Sequence, residues 1–278
     1  MIKTTITKIA VVGFFPLMCS LMPALAPIAL ASTPVVQIAQ NAPLANSPIK
    51  LVERANALRE QNQLDRALDL YRQAIAASPE FVPAYYGLGV TLRQKGDIQG
   101  AIEAHRQAIV IDKNYTPAYY GLGIALYQKG DASGAIESYN QFIKLSKADT
   151  NLAPVYYNLG LAHERRNNLE GAIASFRKAI EFDPKYALAH NGLGTVLRRQ
   201  GNRKEAIASY SRAIELAPQY AVAHFAMGIS LYEDRDYKGA IDSYKRVTAI
   251  DPNFPNVYYN LGLAYNQLGD RQNIVRAL

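Results

Sequence analysis

Few side chains in this sequence are of the types and spacings that do chemistry. Its 278 residues include four histidines, His105, His163, His190 and His224, and one cysteine, Cys19. The histidines share no spacing suited to a metal, which needs three or four ligands converging on one point. No serine elbow, no glycine-rich phosphate loop and no acid pair distinct from surface charge stands in the chain. Leu17-Met18-Cys19 is only a weak lipoprotein signal, because Met18 is bulky where a small residue should precede the cysteine. The expectation is a protein that is not an enzyme and uses no cofactor and no metal.

A repeated heptapeptide organises the rest. Pro83-Ala-Tyr-Tyr-Gly-Leu-Gly89 returns at 117–123, and as Pro-Val-Tyr-Tyr-Asn-Leu-Gly at 154–160. Further copies stand at 188–194, 222–228 and 256–262. The closing glycines fall at 89, 123, 160, 194, 228 and 262, a step of 34 residues with one step of 37. A period of this length denotes a repeat array, in which each unit buries its apolar face against its neighbours. The extra residues lie between Ser146 and Leu152, where the stack is expected to change angle.

With the closing glycine at position 8, the units start at 48, 82, 116, 153, 187, 221 and 255, the last incomplete. Within a unit, apolar or small residues at positions 4, 7, 8 and 11 form one helical stripe. Position 15 is Gly or Asn in all units but one, which marks a helix end, and Arg235 is the exception. It should be strained or use a different turn. A second helix carries Ala at position 20, from Ala67 to Ala240, and a ring at position 24: Tyr71, His105, Tyr139, Phe176, Tyr210 and Tyr244. His105 is therefore a substitute ring, as are His190 and His224 at position 4.

This pattern resembles the tetratricopeptide repeat (TPR) over residues 48–278. The resemblance implies an all-α fold, a helical-hairpin repeat solenoid of about seven units coiled as a right-handed superhelix, whose first helices line a groove for peptides or proteins. Asparagines at position 6 clamp peptide backbones in that family. Asn158 and Asn260 match the position, but a continuous asparagine ladder is absent, as is the family's basic carboxylate clamp.

The other face of the first helices supplies the candidate site. Positions 5 and 9 are apolar where a solvated face should be polar. The expected groove contains Tyr86, Val90, Arg93, Tyr120, Ile124, Tyr127, Tyr157, Asn158 and Leu161, then Arg165, Asn191, Thr195, Arg198, Arg199, Phe225, Tyr259 and Asn260. Its tyrosines would take apolar side chains, and Arg165, Arg198 and Arg199 an acidic group of the partner. The alternatives are a structural subunit that self-associates through its solenoid ends, notably the C-terminal edge, and a small-ligand or glycan binder on the groove tyrosines.

Residues 1–31 read as a secretory signal peptide: Lys3 and Lys8, an apolar run, then Ala29-Leu30-Ala31 for cleavage. Residues 32–47 are Pro-, Ala-, Asn- and Gln-rich and read as a flexible linker. The expected location is therefore periplasmic or another extracytoplasmic compartment of a bacterium, with membrane attachment only through an uncleaved leader. Cleavage removes two of 30 basic and none of 23 acidic residues, leaving a modest net charge of +5 that does not call for nucleic acid.

Overall fold

The structure, a computed structural model, describes residues 47–147, 150–270 and 272. The expected leader, all of the linker except Ser47, and the chain after Asp270 apart from residue 272 lie outside the described residues. Ser47, expected at the end of the linker, is the N-cap of the first helix. Its hydroxyl accepts the Lys50 amide at 3.4 Å.

Among the described residues thirteen helices follow one another with no strand. The hairpins are α1 (Pro48–Glu60) with α2 (Leu64–Ala77), α3 (Val82–Lys95) with α4 (Ile98–Ile111), and α5 (Thr116–Lys129) with α6 (Ala132–Leu145). Then come α7 (Ala153–Arg165) with α8 (Leu169–Phe182), α9 (Ala187–Arg199) with α10 (Arg203–Leu216), and α11 (Ala221–Glu233) with α12 (Tyr237–Ile250). The helix α13 (Val257–Gln267) opens a seventh hairpin. Each helix packs on the one before and the one after, and each first helix also touches the first helix of the next unit. Among the described residues no helix packs beyond the neighbouring unit. This is the all-α helical repeat fold, held by nearest-neighbour contacts.

The turns and the core follow from a few positions. Position 15 is left-handed in every unit, from Asn62 (φ 59°) and Gly96 (φ 92°) to Gly269 (φ 73°). Arg235 keeps this turn at φ 66°, so the exception is strained rather than rerouted. The position-20 alanines are fully buried, and their small side chains let the two helices of a hairpin cross closely. Each position-24 ring packs on at least one glycine, and His105 and Phe176 are wedged between two. A Cβ on Gly160 would lie 2.6 Å from the Phe176 ring, and one on Gly192 of the next unit 2.8 Å from it. The Gly-Leu-Gly motif thus makes room for the rings that join one unit to the next.

Three histidines stand in for aromatic rings, in two ways. His105 is fully buried at position 24 between Gly89 and Gly121. His190 and His224 sit at position 4, where Tyr85 and Tyr119 donate their hydroxyls to the carbonyls of Pro79 and Lys113 at 3.0 Å. The histidines repeat this link through Nε2, to the carbonyls of Pro184 and Pro218 at 3.0 Å. Among the described residues no three potential metal ligands come together.

Candidate binding face

Four of the five position-5 rings do not line an open groove. Tyr120 and Phe225 are 4% and 5% exposed, and Tyr86 and Tyr157 are half-buried. Each packs on the position-24 ring of its own unit: Tyr86 on His105 (5.7 Å), Tyr120 on Tyr139 (6.0 Å), Tyr157 on Phe176 (5.8 Å) and Phe225 on Tyr244 (5.7 Å). A second ring closes over three of them from the turn before the following first helix. Tyr115 meets Tyr86 at 5.9 Å, Tyr186 meets Tyr157 at 5.3 Å, and Phe254 meets Phe225 at 5.0 Å. In the unit with the extra residues Leu152 holds that position, and Phe142 of α6 packs on Tyr120 instead at 5.5 Å. The expectation that position 5 lies off the packing stripe is thereby corrected: the next unit covers it. Ile124, also expected in the groove, is 4% exposed and belongs to the same core.

This capping ring recurs as Phe81, Tyr115, Tyr186, Tyr220 and Phe254, one residue before the expected unit boundary. The signal was present in the sequence at the same period. It falls in the turn between units, where no helical stripe includes it.

The asparagines are used internally. Asn158 is buried and donates from Nδ2 to the Tyr120 hydroxyl at 2.9 Å. Asn260 donates to the Asn256 carbonyl at 2.9 Å, across one turn of its own helix. Asn158 is thus no clamp for a peptide backbone. Asn191, half-buried, reaches the Tyr220 hydroxyl at 3.4 Å, while its Oδ1 is buried with no partner among the described residues.

What remains open is the edge formed by positions 9, 12 and 13. At position 9, Val90, Leu161, Thr195, Ile229 and Leu263 are half-buried. Tyr259, on α13, is 53% exposed. Positions 12 and 13 form a ladder between successive first helices. Arg198 of α9 donates to Glu233 of α11 at 2.7 Å, and Arg199 donates to Glu164 of α7 at 3.0 Å and to Asn167 at 2.7 Å. Arg165 of α7 donates to the Tyr127 carbonyl at the end of α5 at 2.7 Å, with its guanidinium 5.2 Å from the Tyr127 ring centroid. In each case position 12 of one unit meets position 13 of the next. Burial pushes the Glu164 carboxyl up, and Arg199 opposes that shift. The three arginines expected to take a partner's acidic group are therefore already engaged. Arg93, at position 12 of α3, is half-buried and makes no ion pair with any described residue.

Comparison with known proteins places these features. A family model described as "Tetratricopeptide repeat" matches residues 52–116, 120–187 and 157–221, and one described as "TPR repeat" matches 231–269. No curated protein matches the chain. Among solved structures, MamA is 29% identical with a TM-score of 0.55, over 59% of this chain and 95% of that one. YrrB, described as a TPR protein with an unusual peptide-binding site, is 18% identical with a TM-score of 0.57, over 68% of this chain and 96% of that one. PilF of Pseudomonas aeruginosa is 16% identical with a TM-score of 0.65, over 80% of this chain and 96% of that one.

Proposed function

This chain belongs to the tetratricopeptide repeat family, and from that premise we propose that it is an exported scaffold that holds a segment of another protein along its first helices. The fold is one that typically serves protein–protein interaction, and its members are generally not catalysts. Half-buried apolar side chains at position 9, Val90 on α3, Leu161 on α7 and Ile229 on α11, are the observation that supports the reading. Apolar side chains left open along one edge favour contact with a partner chain over contact with water. Half-buried Tyr86 and Tyr157 add ring edges beside it. The sequence of the leader, with Lys3, Lys8 and Ala29-Leu30-Ala31, supports an extracytoplasmic place of work, where the protein would act as an assembly factor.

A photo-crosslinking amino acid at Leu161 should capture one discrete partner in vivo, and the same group at exposed Arg106 on α4 should not. Equal capture at both positions counts against the face. Mature protein isolated from cells should begin near Ser32; a chain retaining Met1 counts against export.

A second reading is self-association through α13. It is favoured by Tyr258, Tyr259 and Leu268, which are 42%, 53% and 44% exposed on that helix and the turn after it. Sedimentation over a range of concentrations tests it, since a monomer throughout would remove it.

A further inference from the structure

The ladder between first helices is filled at its three middle rungs, from Tyr127–Arg165 to Arg198–Glu233, and unfilled at its first two. Where Arg198 at position 12 meets Glu233 at position 13 of the next unit, Arg93 has Gln128 as its counterpart, and Arg59 of α1 has Gln94. Glutamine has the length of glutamate but not the charge, so these two rungs hold a cation and no anion. Neither Arg59 nor Arg93 makes an ion pair with any described residue; Glu60, which follows Arg59, is exposed. The Oε1 of Gln128 is buried with no partner among the described residues, so Gln128 does not accept from Arg93 in place of an anion.

The surroundings of Arg93 suit an anion that comes with a protein chain. Arg93 lies near Tyr86, Tyr120 and Tyr139, and near enough to Arg59 for the two cations to oppose each other. A half-buried guanidinium without a counter-charge is costly, and an incoming carboxylate both restores the lost solvation and accepts two parallel N–H bonds. Val90, one turn before Arg93 on α3, adds an apolar contact.

Building on the binding face proposed above, we infer that Arg93 and Arg59 receive an acidic side chain, Asp or Glu, of the bound protein segment, with apolar neighbours of that residue resting on Val90 and Tyr86. The partner's carboxylate takes the place that Glu233 holds in the later unit. The first two rungs would thus read the charge of the ligand, and the three middle rungs, already satisfied, would hold the first helices together.

The test selects a displayed library of short random peptides on the full chain, on the double variant Arg59→Gln with Arg93→Gln, and on Arg93→Glu. The full chain should enrich Asp or Glu next to apolar residues. The double variant should keep the apolar preference and lose the acidic one, and Arg93→Glu should enrich Lys or Arg in its place. A synthetic peptide selected on the full chain should bind about ten- to a hundredfold more weakly once its acidic residue becomes the amide. That last measurement uses the unaltered protein and decides the matter should either variant lose helicity. Equal binding of acid and amide overturns the inference, as does the same acidic preference on all three forms. Apolar enrichment without acid also overturns it and leaves the binding face standing. Enrichment of nothing on any form removes both.

Discussion

Asn158 of α7 donates its side-chain amide to the hydroxyl of Tyr120 on α5, 2.9 Å away, in a place where both residues are buried. The bond joins the first helices of the third and fourth units across the segment that breaks the 34-residue step. Tyr120→Phe leaves the Asn158 amide buried without its acceptor and should cost about 1–3 kcal/mol. Asn158→Ala should cost a similar amount, and the double variant much less than the two together. Urea unfolding of the four proteins measures this. Fully additive losses would show that the bond is not a shared interaction.

The same burial makes two tyrosines at position 5 behave oppositely. Tyr120→Ala removes a ring packed on Tyr139 and Phe142 and should destabilise by about 3–5 kcal/mol. Tyr259→Ala, at a side chain more than half exposed, should stay within about 0.5 kcal/mol. Equal losses in thermal or chemical unfolding would contradict the placement of these rings.

His105 should make the fold acid-sensitive. Burial, with Arg93 adding to it, pushes its pKa down from 6.5 to about 3, and neither ring nitrogen has a partner among the described residues. The folded state holds the imidazole neutral while the unfolded chain takes up a proton below about pH 6.5. Stability contributed by the neutral ring is therefore present above that pH and falls toward pH 3. The slope is up to about 1.4 kcal/mol per pH unit. His105→Phe places at this site the ring that Phe176 supplies between its own two glycines. It should remove the extra slope and raise stability at neutral pH by about 1–3 kcal/mol, because two orphaned nitrogens disappear. Unfolding free energies of both proteins from pH 4 to pH 7 decide it. Parallel curves would show that His105 does not titrate on unfolding.

Arg235 holds a left-handed turn, φ 66°, that glycine occupies in four other units. Arg235→Gly should raise the melting temperature by relieving about 1 kcal/mol of strain, despite the added freedom of the unfolded chain. A lower melting temperature would mean that the side chain contributes more than the backbone strain costs.

The sequence by itself determined the all-α repeat fold, its period and most of its core. The period needs only counting, and the residues that enforce it are local: left-handed Gly or Asn at position 15, Ala at position 20, a ring at position 24. Each is demanded by its own turn or its own hairpin. Only the tertiary structure decided which face of the first helices stays open. Position 5 lies beyond the stripe that faces the second helix, so the pattern of one helix suggests exposure. The turn preceding the next unit then lays Tyr115, Tyr186 or Phe254 over it. In the same way Arg198, Arg199 and Arg165 read as free cations along the chain, because their partners are supplied by another unit. Pairing between units depends on how far one hairpin is displaced and rotated onto the next, and no single helix encodes that geometry.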